Sequence, residues 1–166
     1  MFLLRDLPDD TLIAAFQIRY PEMDASAVKA FLHLMRTGSD VLRAAEGMFA
    51  RYGISQGRFC VLIVLHRSPF EAIGLSSLAE KVGVTRATVT GLVDNLEKDG
   101  LLERLPDPDD RRRMQVRMTD RGRSLMESIL PDYYRRVSQL MADVDEESRA
   151  RLVGILAGVN RGVPRM

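Results

Sequence analysis

Cysteine, histidine, lysine and tryptophan are scarce or missing in this chain of 166 residues, and each scarcity excludes something. A single cysteine, Cys60, leaves no partner for an intrachain disulfide, which fits a reducing compartment. The two histidines, His33 and His66, have no carboxylate or thiol at metal-ligand spacing, so neither a zinc site nor any other cofactor is expected. The longest uninterrupted apolar run, Phe59 to Leu65, is far short of the ~20 residues that span a bilayer. Met1 to Asp10 lacks the basic start and apolar core of a secretory signal. A cytoplasmic location is therefore expected. There is no Gly-rich phosphate loop, no nucleophile elbow and no acid pair in an apolar setting. No enzyme reading finds support. Net charge is nearly absent too, at +1, so any nucleic-acid binding must come from local charge.

What is present reads as a folded domain, because 46% hydrophobic and 28% charged residues are globular proportions. Asp9 or Asp10 can cap a short helix over Leu12, Ile13, Phe16 and Ile18 that Pro21 ends. From about Asp24 to Tyr52, Val28, Phe31, Leu32, Met35, Leu42, Ala45 and Phe49 recur at helical spacing, and Gly53 is a natural stop. Such a rod, ~42 Å long at 1.5 Å per residue, needs a partner along its stripe. Ser55 can cap a helix over Gln56 to Arg67 that is apolar nearly all round and belongs in the centre of the subunit. Thr119 caps a long helix to about Ala142, which Pro131 should interrupt and bend. Asp145 caps a last helix bearing Leu152, Val153, Ile155, Leu156 and Val159.

The middle of the chain carries the unusual chemistry. Ser76 or Ser77 opens a short helix through Val82, with Ala79 small enough for a crossing helix and Gly83 suited to a turn with positive φ. Thr85 caps a second helix to about Lys98, whose inner face is Val89, Leu92, Val93 and Leu96. An ordinary helical hairpin with a glycine turn is the plain alternative. The outward face of the second helix carries Arg86, Ala87, Thr88, Thr90, Gly91, Asp94 and Asn95. These short polar groups suit a major groove. Leu101 to Leu105 and Met114 to Met118 alternate as two strands around the turn Pro106 to Arg113. Between Arg111 and Arg123 six arginines face one acid, Asp120. An arginine-tipped hairpin suits the negative potential of a narrow minor groove; a solvated charge run is the alternative. Candidate DNA-binding residues are thus Thr85, Arg86, Thr88, Thr90, Asn95, Arg111, Arg112 and Arg113. The strand alternation places Arg112 with Asp110 on one face.

These residues resemble the MarR family of winged helix-turn-helix regulators. The likeness rests on Leu78-Ala79-Glu80, on Val84 to Thr90, on Leu96 to Leu102 and most of all on Asp107 to Arg113 followed by Met118 to Gly122. Asp110, Arg112 and Met118-Thr119 match the family's wing signature, with Met where Leu is usual. The resemblance implies a mainly α fold with a small β-hairpin wing. It divides the chain into an N-terminal arm and long dimerisation helix (1–54), a winged helix-turn-helix DNA-binding domain (55–118) and C-terminal dimerisation helices (119–166). It implies a homodimer on a pseudo-palindromic double-stranded operator, acting as a transcription regulator, in particular a repressor released by a small aromatic or anionic ligand. Candidates for that ligand are Arg36, Arg43, Tyr52, Arg58 and Phe59, because an aromatic acid wants a guanidinium beside apolar walls. Two other readings remain: a winged-helix module for protein partners without specific DNA binding, and a thiol-based redox regulator acting through Cys60. Against the latter, the neighbours Phe59, Val61 and Leu62 should raise the Cys60 pKa and hide the thiol.

Overall fold

A computed structural model describes residues 6–67, 70–110 and 113–165. The chain divides into two compact units between Val61 and Leu62. In the first, helix α1 (Asp10–Arg19) starts where the Asp9 carboxylate accepts from Leu12 N at 2.8 Å, and helix α2 (Ala25–Ala50) starts where Asp24 accepts from Ala27 N at 3.0 Å. Both carboxylates take up amide protons that lack an intrahelical partner. Lys29 ties α2 to Asp10 at 2.6 Å. Gly53, at φ 70°, turns the chain out of α2. Helix α3 (Gln56–His66) follows, with Ser55 Oγ accepting from Arg58 N at 3.3 Å. Ile13, Met48, Phe49, Ile54, Phe59 and Val61 are buried, and the Phe49 and Phe59 rings stack 4.2 Å apart. Of the stripe expected on α2, Phe49 alone is fully buried, and Phe31 and Leu42 are exposed.

The second unit holds strand β1 (Ile73–Gly74), helices α4 (Leu75–Val82) and α5 (Arg86–Lys98), strands β2 (Leu102–Pro106) and β3 (Met114–Met118), and helices α6 (Asp120–Leu140) and α7 (Glu146–Gly162). The sheet is antiparallel in the order β1-β3-β2, with Arg104 opposite Val116, Leu102 opposite Met118 and Ile73 opposite Val116. The expected hairpin thus gains a third, two-residue strand. Its core is Leu62, Leu65, Leu78, Val89, Val93, Leu96, Val116, Met118, Met126 and Ile129, all at most 1% exposed.

Three expectations are corrected. Helix α4 begins at Leu75 with Gly74 in the cap position and no side-chain cap, because β1 pairing fixes the preceding backbone and leaves neither serine the role. Helix α6 runs on through Pro131; an interruption is not seen. Within α3, Cys60 and Ile63 are only half-buried, so its apolar run is not enclosed on every side.

Candidate nucleic-acid interface

The turn between α4 and α5 is built on Gly83, whose φ of 76° places its amide within reach of Ala79 O at 2.9 Å. A side chain there would pay for the left-handed backbone. Thr85 then caps α5, its hydroxyl oxygen accepting from Thr88 N at 3.2 Å and lying 2.9 Å from the Thr88 hydroxyl. Val89, Val93 and Leu96 fix the inner face of α5 in the core. That leaves Thr85, Arg86, Ala87, Thr88, Gly91 and Asn95 exposed. Two of the candidate side chains are engaged with their own helix. The Thr90 hydroxyl donates to Arg86 O at 2.8 Å and is half-buried, and Asn95 Nδ2 donates to Gly91 O at 2.9 Å.

The wing begins where Gly100, at φ 68°, ends α5. Asp107 organises its turn: one carboxylate oxygen accepts from Asp109 N at 2.9 Å and from Asp110 N at 3.3 Å, the other from Gln115 Nε2 at 3.0 Å. The Asp109 amide foremost, then Gln115, holds the Asp107 carboxyl below the usual range. Arg113 lies 3.4 Å from Asp110 and is exposed. Arg111 and Arg112 fall outside the described residues, so the expected face shared by Arg112 and Asp110 has no structural counterpart here. Glu103 and Arg117 pair across the hairpin at 2.7 Å. Asp94, on the outward face of α5, is held by Arg104 of the wing, at 2.5 Å.

Two clefts open beside the sheet. One of about 430 Å³ lies between helices and wing and is lined by Gly74, Leu75, Ser76, Ser77, Arg86, Asp107, Arg113 and Met114. The other, about 370 Å³, is lined by Phe70, Glu103, Arg117, Met118, Thr119, Asp120 and Arg123, with the Arg123 guanidinium 5.1 Å from the Phe70 ring centre. Neither is lined by the effector candidates. Arg36 and Arg43 share Asp40, at 2.8 and 3.6 Å, Arg58 reaches Gly53 O at 3.4 Å, Tyr52 is half-buried and Phe59 is in the core. Burial pushes the Cys60 thiol up, as expected, although the residue is half-buried rather than hidden. No group of three or more metal-ligating side chains occurs among the described residues, and none of their helices is long and apolar enough to cross a membrane.

Sequence reasoning missed Ser76 and Ser77 as cleft-lining residues, and Arg104, Thr119 and Gly122 as structural ties. The Thr119 hydroxyl donates to Gly100 O at 2.7 Å and accepts from Gly122 N at 3.1 Å, while Thr119 N donates to Leu101 O at 3.1 Å. The end of α5, the start of the wing and the start of α6 meet at that one threonine. The Thr-x-x-Gly spacing was legible only as a cap.

The model of the MarR family matches residues 54–114, which run from α3 through β1, α4, α5 and β2 to the first residue of β3. The HTH-type transcriptional repressor YetL of Bacillus subtilis is 29% identical over 153 residues, 92% of each chain. Among solved structures, the S. aureus MepR–DNA complex superposes with a TM-score of 0.72 at 19% identity, over 80% of this chain and 94% of that one. CouR from Rhodococcus jostii, bound to p-coumaroyl-CoA, superposes at 0.69 and 24% identity, over 78% and 90%. With its helix-turn-helix, its arginine-bearing wing and a likeness that runs the length of a repressor, the chain belongs to the MarR family of transcription regulators.

Proposed function

We propose that this DNA-binding transcription regulator is a homodimeric repressor that reads a pseudo-palindromic operator with α5 and the wing, and is released by a small anionic or aromatic ligand. The observation that carries the reading is α5 itself. Its inner face is locked in the core, and the opposite face offers Thr85, Arg86, Thr88 and Asn95 to solvent on a helix of 13 residues. Short hydroxyls and amides beside an arginine match base edges and phosphates in a major groove. The cleft between helices and wing adds Ser76, Ser77 and Arg113 around Arg86, a setting suited to a backbone phosphate. Arg111, Arg112 and Arg113 at the wing tip are assigned to the minor groove and its flanking phosphates. The name of YetL supports repression, and the ligand held by CouR supports an aromatic effector. Arg36, Arg43, Tyr52, Arg58 and Phe59 stay its candidate contacts. The reading assigns no reaction to the chain and places it in the cytoplasm, with the DNA.

The test is a titration of the protein against a duplex enriched by selection from genomic DNA, over a range of salt. Each phosphate contact contributes ~0.9 to the slope of log affinity against log salt. Arg112→Ala should weaken binding more than Arg111→Ala or Arg113→Ala, with the fold intact by circular dichroism. Binding that ignores salt, or fails to prefer the enriched duplex over random DNA, would favour the protein-interaction module.

A further inference from the structure

We infer that Arg104 is a positioning residue for DNA recognition, a strut that holds the wing at a fixed distance from the base-reading helix; this rests on the function proposed above. The pleat of β2 sets the geometry. Successive residues of a strand face opposite ways, so Arg104 shares a face with Leu102, which is 2% exposed, and stands opposite Val116, which is fully buried. One step beyond the edge of the core, that inward-facing position holds an arginine. Its guanidinium crosses from strand to helix and forks: Nη2 donates to Asp94 Oδ1 and Nη1 to Glu97 Oε2, each at 2.5 Å. Asp94 and Glu97 are three residues apart, hence neighbours on one side of α5. A planar guanidinium held by two carboxylates at once is fixed in direction as well as distance.

The other contacts in this region act elsewhere. The Thr119 hydrogen bonds to Gly100 O and Leu101 O fix only the root of the wing. Leu96, Leu101 and Leu102 pack that same base, but apolar contact is non-directional. The Glu103–Arg117 pair runs across the hairpin, and Arg113–Asp110 stays within its turn. A protein that reads two grooves at once gains specificity only if both readers arrive in register. The Arg104 side chain is 23% exposed, with Asp94 at 48% and Glu97 at 37%. Ion pairs so near the surface contribute little net stability, which leaves geometry as what they supply. The bond to Asp94, foremost, lifts the guanidinium above its usual pKa, so the arginine end of the strut stays charged throughout the neutral range.

A double-mutant cycle tests this. Arg104→Met is made in the parent and in a wing-tip variant, R111A/R112A/R113A, and affinity is measured for the selected duplex and for random duplex. Arg104→Met should lower the ratio of the two affinities by about tenfold in the parent, within the range for sites coupled through a backbone shift. In the wing-tip variant, where nothing remains to align, the ratio should change less than about twofold. Arg104→Lys keeps the charge but not the fork. It should leave affinity for random duplex at the parent's level while recovering only part of the selected-duplex preference. It also covers the case in which the methionine variant fails to fold. Three results would overturn the proposal: an equal loss in both backgrounds, a loss shared equally by both duplexes, or full recovery of the ratio by lysine. If the parent shows no duplex preference, the function proposed above falls first. If the parent shows it and the cycle is additive, only the strut falls.

Discussion

A β-carbon added at Gly122 would lie 2.3 Å from Leu101 O and 2.7 Å from Met118 Cγ. The carbonyl cannot yield easily, because it is the acceptor for Thr119 N. Gly122→Ala should therefore destabilise the protein by about 1–3 kcal/mol or more, as overpacking does. Gly91→Ala, with nothing within 4 Å of the added carbon, should stabilise by about 0.5–1 kcal/mol. Denaturant unfolding of the two variants side by side checks both signs. Cys60 offers a second prediction at this scale. Burial disfavours its thiolate, and the thiolate is the form that peroxide attacks. DNA binding by the parent and by Cys60→Ser should be equally indifferent to peroxide; release of the parent alone would restore the redox reading. Single residues were legible in the sequence where their role is local. Thr85, Thr119 and Asp145 cap helices as their chemistry suggests, and of the two candidates Asp9 and Asp10 it is Asp9 that caps α1. Gly122 and Arg104 were not legible as ties, because each depends on an atom that folding brings near: Leu101 O for one, two carboxylates seven and ten residues away for the other.

At the scale of elements, α5 shows why helical spacing alone does not rank the residues on a reading face. Thr88 and Thr90 looked equivalent in sequence. In the fold the Thr88 side chain is exposed, beside Thr85 at the first turn, whereas Thr90 is half-buried with its proton given to Arg86 O. A hydroxyl already bonded to its own backbone has less to offer a base. Thr88→Ala should thus reduce the preference for the selected duplex more than Thr90→Ala. Comparison with random duplex separates base reading from backbone contact. If both variants lose affinity equally for the two duplexes, these threonines touch phosphate only. The long periodic helices and the turn at Gly83 were readable because they rest on local rules. The wing's two longer strands were readable from their alternation. Strand β1 was not: two residues carry no alternation, and its existence depends on pairing with β3 more than forty residues later. The same pairing moved the start of α4 to Leu75 and left Ser76 and Ser77 free to line the cleft beside Arg86.

For the whole molecule, the open question is what covers its terminal helices. Helix α7 has 17 residues and not one of them is buried. Leu152, Val153, Ile155, Leu156 and Val159 are 37–68% exposed along it. A helix of this length is marginal in water by its own propensity, and most helical stability comes from packing an apolar face. The first unit has the same feature independently. Leu12, Phe16 and Ile18 on α1, and Phe31, Val41 and Leu42 on α2, are each at least 37% exposed. Apolar stripes recurring at helical spacing in both units call for a second copy of the chain, as the sequence reading expected. At about 25 cal/mol per Å² removed from water, covering even a few such side chains from each copy stabilises an assembly by several kcal/mol. The parent should sediment as a dimer at micromolar concentration. The double substitution Ile155→Glu with Leu156→Glu would place unpaired carboxylates in the seam. It should give a monomer whose winged block remains folded by circular dichroism, since Leu78, Val89, Val93, Val116 and Met118 pack without α7. Affinity for a selected two-half-site duplex should then fall by about 10²–10⁴-fold, the loss expected when two linked binding events become one. Affinity for a single half-site should change little, because the surfaces proposed to read it lie between Ser76 and Arg113 and are untouched. A parent that is soluble and folded as a monomer, or a double variant that keeps its two-half-site affinity, would remove the dimer from this account. The pseudo-palindromic operator would go with it, since only a two-fold protein gives half-sites a fixed spacing.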